Sequence, residues 1–143
     1  SLPSKEQMVP PAGKYDCKIL RDTWGVPHIF GKKDTDTAYG LAYAHCEDDF
    51  TTIQQGLFLA RGKVASIQGK DAAPFDFMVG LFDARHIVED QYEKQLAPET
   101  RAICEAYADG VARVTLRYRR DPDTASARGF APWRGWRAGR SRR

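Results

Sequence analysis

The stretch from Arg21 to Phe50 reads R-D-T-W-G-V-P-H-I-F-G, a short polar link, then D-T-A-Y-G-L-A-Y-A-H-C-E-D-D-F. No other part of the chain restricts the fold as strongly. Just upstream, Tyr15, Cys17 and Ile19 alternate with Asp16 and Lys18, which is the period of a half-buried strand. Thr23-Trp24-Gly25 supplies a turn, because glycine accepts a positive φ without a Cβ clash, and Val26 to Phe30 resumes a β-branched and aromatic run. A β-hairpin is the economical reading. Pro27 has no N–H to give to a ladder, so its nitrogen is expected to face away from the partner strand.

Asp34, Thr35 and Asp36 are all competent N-caps, so a helix is expected to begin there. Ala38, Ala42, Cys46, Phe50, Ile53 and Leu57 recur at spacings of three or four, giving one apolar stripe. Gly40, Ala42 and Ala44 leave little side chain on this helix. Another backbone can then approach closely, and that packing must offset about 1 kcal/mol for the glycine. Arg61-Gly62 has the form of a helix end, while Val64 to Gly69 fits more than one conformation. Phe77, Leu81, Ala84, Val88 and Tyr92 again repeat at helical spacing. Pro98 then opens a run carrying Ile103, Ala106, Tyr107 and Val111. The short Leu96-Ala97-Pro98 link predicts antiparallel neighbours.

The chain has 143 residues, 42% of them hydrophobic, enough for one ordinary domain. It holds no run of 18 apolar residues, so no membrane-spanning helix is expected, and Ser1-Leu2-Pro3-Ser4 lacks the basic start and apolar core of a signal peptide. Any export signal is expected to have gone already. Residues 1–112 carry a net charge of −5, with lysine and arginine mixed, whereas residues 113–143 carry ten arginines, no lysine and a net +8. Such a step reads as a boundary. The expected organisation is an extended lead-in over 1–13, an α+β unit over 14–112 and a disordered tail over 113–143. That unit is a hairpin followed by a mainly helical portion. The tail's Arg, Gly, Ala and Pro composition is what a G+C-rich gene yields when translated out of frame. That origin is taken ahead of a flexible natural tail, and ahead of a segment whose Tyr118, Trp133 and Trp136 stack on bases while its arginines meet phosphates.

Candidate chemistry is sparse. His45-Cys46-Glu47-Asp48-Asp49 contains every common metal-ligand type, but on a helix only His45 with Asp49, or Cys46 with Phe50, share a face. Solvent-facing charges around a packed Cys46 are the simpler reading, and no metal site is expected. His28 and His86 are read as core histidines, each satisfied by one backbone carbonyl. Cys17, Cys46 and Cys104, odd in number and widely spaced, are read as buried free thiols. Ser1 has the position of an N-terminal nucleophile, whose own α-amine can take the hydroxyl proton, yet it opens a proline-rich lead-in rather than a sheet edge and is read as a processing scar. No phosphate loop, dinucleotide fingerprint or serine-hydrolase elbow occurs, and no cofactor is expected.

Several motifs nevertheless occur together and in order: Arg21-Asp22 with Gly25-Val26-Pro27-His28-Ile29, then Tyr39-Gly40-Leu41-Ala42-Tyr43-Ala44-His45 with Glu47-Asp48-Asp49-Phe50, then Ala60-Arg61-Gly62-Lys63, Leu96 to Glu99, and Glu105 to Val111. With these the chain resembles the start of the mature α-chain of the penicillin acylase family, the N-terminal-nucleophile amidohydrolases that include acyl-homoserine lactone acylases. The resemblance implies an αββα sandwich assembled from a helical α-chain and a long β-chain, both cut from one exported precursor. It also implies a periplasmic or secreted setting, small N-acylated substrates, and a nucleophilic serine at the start of the β-chain, with oxyanion donors on that chain too. No catalytic residue is carried over to this chain. Arg21, Asp22, Gly25, Val26, Pro27, His28, Tyr39, Gly40, Tyr43, Ala44, Glu47 and Asp48 are taken as family-motif positions of structural importance. The competing reading is a non-enzymatic helical module whose basic tail engages nucleic acid or an acidic surface.

Overall fold

The computed structural model describes residues 13–121. Strands β1 (Cys17–Arg21) and β2 (Pro27–Gly31) form the expected antiparallel hairpin, with Ile19 opposite Ile29 and Arg21 opposite Pro27. Gly25 takes φ +84 in the turn, and Pro27 stands first in β2, where a missing N–H costs least. Five helices come after the hairpin: α1 (Asp34–Ala60), α2 (Ala65–Gln68), α3 (Ala73–Leu81), α4 (Ala84–Gln95) and α5 (Pro98–Arg120), with a 3-10 turn over Lys70–Ala72. Among the described residues no helix is long and apolar enough to cross a membrane.

The start of α1 differs in detail from expectation. Lys33, in extended conformation, occupies the cap position, and the buried Asp36 carboxylate accepts the Lys33 N–H at 3.2 Å. Its other oxygen accepts the Asp16 N–H at 3.1 Å, so one side chain both caps the helix and ties it to the entrance of β1. The apolar stripe is buried through Ala38, Ala42, Cys46 and Phe50. At Asp49 the backbone leaves the helical region (φ −149, ψ 72), and the Asp49 carboxylate caps the next turn through the Thr52 N–H and hydroxyl, at 3.1 and 2.6 Å. This break shifts the phase of the second half of α1. Phe58 is buried in place of Leu57, which is 49% exposed. Gly62, φ +60, ends the helix as expected.

α5 is where the sequence reading fails most. The expected boundary after Ala112 lies inside a continuous helix that runs to Arg120. Ala106, Gly110, Val114 and Tyr118 fall at every fourth position and are all buried. Val114 (0% exposed) and Tyr118 (2%) complete the core with Cys46 and Phe50. Tyr118 packs edge-on against Phe50 and donates its hydroxyl to the Cys46 carbonyl at 3.3 Å. Disorder is therefore wrong for residues 113–120. Arg113, Thr115, Arg117 and Arg119, which flank Val114 and Tyr118, hid the second half of the stripe. The lead-in over 1–12, Ser1 included, and the tail over 122–143 lie outside the described residues.

α5 packs mainly on α1, and the two run in the same direction, since Gly110 lies against Ala42 and Tyr118 against Cys46 and Phe50. The expected α4–α5 hairpin is correspondingly loose, with Tyr92 reaching the Arg101 carbonyl near the link at 3.5 Å. The stripe from Phe77 to Tyr92 does not form one buried face either. Asp83 adopts a left-handed conformation (φ 49) that separates α3 from α4, and Phe77 and Leu81 stand 69% and 64% exposed.

Candidate functional site

Asp22 organises the hairpin turn. One carboxylate oxygen accepts the N–H groups of Trp24 and Val26, both at 2.9 Å, and the other meets His28 Nε2 at 3.2 Å. The Val26 N–H first, then His28, holds this carboxyl below the usual range. His28 is thus an exposed residue near the start of β2 rather than a core histidine. Trp24, at the tip, is 88% exposed.

Arg21 leaves the end of β1 and spans two elements. Its guanidinium donates to the Gly25 carbonyl at 2.9 Å and meets Asp48 Oδ1 at 2.8 Å and Glu47 Oε2 at 3.5 Å on α1. From the other side, Arg117 of α5 reaches Glu47 Oε1 at 3.1 Å and the Tyr43 hydroxyl at 2.7 Å. Glu47 therefore stands between two guanidinium groups, joining hairpin, α1 and α5 in one network. At the opposite end of the hairpin, Asp109 of α5 accepts from Lys14 Nζ and the Tyr15 hydroxyl, both at 2.7 Å, while the Tyr15 ring stacks on Tyr39 at 4.6 Å. Between these two ties lie the small residues. A Cβ on Gly40 would come within 2.8 Å of Ile29 and 3.2 Å of the Cys17 sulfur. Gly40 thus admits the hairpin, Ala42 admits α5 at Gly110, and Ala44 is fully buried.

Of the motif residues read from the sequence, Arg21, Tyr39, Gly40, Tyr43, Ala44, Glu47 and Asp48 build this clamp, while Asp22, Gly25, Val26, Pro27 and His28 shape the turn beside it. Sequence reasoning missed Asp109, Gly110, Arg117 and Tyr118 as its partners. The spacing of four from Ala106 to Tyr118 was the signal that could have found the last of these. Tyr118 turns inward and is buried, so it cannot stack on a base, whereas Arg117, with its side chain 53% exposed, is paired with Glu47 and Tyr43.

Catalytic features are few. The histidines hydrogen-bond Asp22 (His28), the Tyr107 hydroxyl (His45, 3.2 Å) and Asp83 (His86, 2.6 Å). His86, like His28, is exposed rather than buried. Burial pushes the Cys46 thiol up to about 11, the opposite of what a nucleophile needs. Cys104 is exposed, contrary to the reading of three buried thiols. Among the described residues no group of three His, Cys, Asp or Glu side chains could hold a metal ion.

The penicillin amidase family profile matches residues 16–137. This chain belongs to the penicillin amidase family. It is 29% identical to penicillin G acylase of Escherichia coli over 118 residues, covering 80% of this chain and 14% of that protein. It is also 29% identical to the acyl-homoserine lactone acylase QuiP of Pseudomonas fluorescens over 115 residues, with the same shares. A further relative, 28% identical over 94 residues, is the penicillin acylase 2 proenzyme of a Pseudomonas species, of which the match covers 12% and of this chain 66%. Among solved structures, the thermostable penicillin G acylase from Alcaligenes faecalis superposes with a TM-score of 0.68 at 26% identity, covering 76% of this chain and 57% of that one. The chain thus spans about one seventh of the curated relatives' length but more than half of the solved chain. The mostly helical architecture with its N-terminal hairpin is that of a penicillin acylase structure. The family match also runs past residue 112, across the expected boundary.

Proposed function

We propose that this chain is the N-terminal, α-chain portion of an exported N-acyl amide hydrolase, whose nucleophile is the first serine of a separate β-chain cut from the same precursor. The observation that carries this reading is the family match over residues 16–137 to proteins about seven times as long. The name proenzyme borne by one relative, and the shortness of the matched solved chain, support division into two chains. The clamp around Glu47 spends its polar groups on holding the hairpin to two helices, which is scaffold work. The outward hairpin residues Leu20, Trp24, Val26 and Phe30 remain open to a second layer.

In the assembled enzyme the β-chain serine hydroxyl adds to the substrate's amide carbonyl while the serine's α-amine takes its proton and then delivers it to the departing amine. Water hydrolyses the resulting acyl ester. The substrate is a small N-acylated amine. This chain alone is inactive.

The test is co-expression with the remainder of the precursor and assay on a chromogenic N-acyl anilide and an acyl-homoserine lactone. Turnover by the pair, lost when the β-chain's first serine is replaced by alanine, is expected. Steady turnover by the isolated chain, abolished by Ser1→Ala, overturns the reading.

A further inference from the structure

At about 100° per residue, Pro74, Phe75, Phe77, Met78 and Leu81 of α3, with Phe82 at its end, share nearly half the helix circumference, an arc without a charged residue. Phe75, Phe77 and Phe82 are 61, 69 and 65% exposed, Met78 43% and Leu81 64%. The opposite side of α3 is committed inward. Asp76 accepts the Val64 and Ala65 N–H groups at 2.7 and 2.9 Å, and Val79 lies 3.5 Å from where a Cβ on Gly62 would stand. α3 is therefore held with its apolar side outward, on an element that packs on α1, α2 and the 3-10 turn. With about 200 Å² for each aromatic side chain, the three exposed rings present about 400 Å². Met78 and Leu81 bring the patch to about 600 Å², the upper end for the largest apolar patch of a monomer.

We propose that a second copy of this chain covers this face, α3 against α3, in a two-fold dimer. Two such patches bury about 1,100 Å² on meeting, which passes the roughly 1,000 Å² that a specific interface needs. The pattern is also self-complementary. Pro74 and Phe75 precede Met78 by four and three positions, and Leu81 and Phe82 follow it by three and four. A two-fold axis crossing α3 at Met78 runs the two helices antiparallel. It sets Phe75 of each copy against Phe82 of the other on one flank, and brings the two Phe77 rings together near the axis on the other flank. No charge stands at the contact, so two copies of the face do not repel, and antiparallel helices oppose their dipoles favourably. α3 carries no lysine or arginine with which to seat on an anionic membrane or a nucleic acid.

The experiment is sedimentation velocity on the full chain from sub-micromolar to high-micromolar concentration. A monomer–dimer equilibrium is expected, with a dissociation constant on the order of micromolar, the weak end that suits an interface of this size. Phe77→Asp sets two like charges beside the axis and should weaken the dimer by about thirty-fold or more, with far-UV circular dichroism unchanged because Phe77 is exposed. Phe30→Asp, on the open face of the hairpin, should leave it as it was. A chain that stays monomeric throughout, a species that grows past two copies, a dimer that survives Phe77→Asp, or one that Phe30→Asp abolishes overturns the proposal. A second readout tests the geometry. A photoreactive p-benzoylphenylalanine replaces Phe82, and heavy- and normal-nitrogen copies are mixed so that mass spectrometry separates adducts between copies from those within one. Adducts between copies at the first turn of α3, around Phe75, are expected. Adducts elsewhere on the chain, or to the companion chain when the rest of the precursor is co-expressed, sink the idea. Amide hydrolysis enters neither readout, so the two-chain reading stands or falls separately.

Discussion

Gly110→Ala opposes two effects of known sign, and the structure decides between them. Replacing a glycine inside a helix by alanine favours the helix by about 1 kcal/mol. At Gly110, however, the added Cβ would stand 2.7 Å from Ala42 Cβ and 2.7 Å from the Tyr39 carbonyl oxygen. Carbon atoms pack at about 3.5–4.0 Å, so α5 must retreat from α1 by close to 1 Å. The obstructing atoms are backbone and a Cβ, which no rotamer change can move. The retreat also loosens the contacts of Val114 and Tyr118 with Cys46 and Phe50 one and two turns further along. Overpacking of this kind costs about 1–3 kcal/mol, with the upper part of that range expected here, and outweighs the helix gain by about 1–2 kcal/mol. With a urea slope of about 1.5 kcal/mol/M, the unfolding midpoint followed by far-UV circular dichroism falls by about 1 M. Gly56→Ala is the control, because a Cβ there meets nothing within 4 Å, and its midpoint should rise. If Gly110→Ala matched or exceeded the parent, or moved in step with Gly56→Ala, the close approach of α1 and α5 would be refuted.

Val114→Ala removes two fully buried methyl groups and should cost about 2 kcal/mol, read as a lower urea midpoint, whereas a residue of a detached tail would cost nothing. The Cys46 thiol, raised by burial from 9.0 to about 11, ionises later in the folded than in the unfolded chain. Its contribution is complete below about pH 9 and is lost as pH rises towards 11, a decline of order 2 kcal/mol that Cys46→Ala should flatten in a background where Cys17 is already serine. Asp49→Ala removes the cap of the second half of α1, so amide exchange over residues 50–60 should accelerate while residues 38–46 keep their protection, and Asp49→Asn should restore it.

The hairpin, the start and end of α1 and the existence of α5 were legible because each depends on local chemistry: alternation at Cys17 and Ile19, the positive φ of Gly25 and Gly62, the proline at the entry of α5. Family membership was legible for a related reason. Its motif residues are those that a close three-way contact demands, with small side chains at Gly40, Ala42 and Ala44 and paired charges at Arg21, Glu47 and Asp48. The errors arose where a short-range rule met a long-range partner. His28 looked like a core residue until the turn placed it on Asp22. The Phe77–Tyr92 repeat reads as one helix, but Asp83 splits it into α3 and α4 and Phe77 and Leu81 stand exposed.

Residue order alone settled the local elements and the family, since backbone preferences and apolar periodicity act within a few residues of one another. Where α5 truly ends, which helix it joins, and that Arg117 and Tyr118 are structural rather than tail residues were decided only in three dimensions. Tyr118 and Cys46 are 72 positions apart, and burial of the one by the other depends on how closely two helices can approach at Gly110, a distance that no sequence window contains.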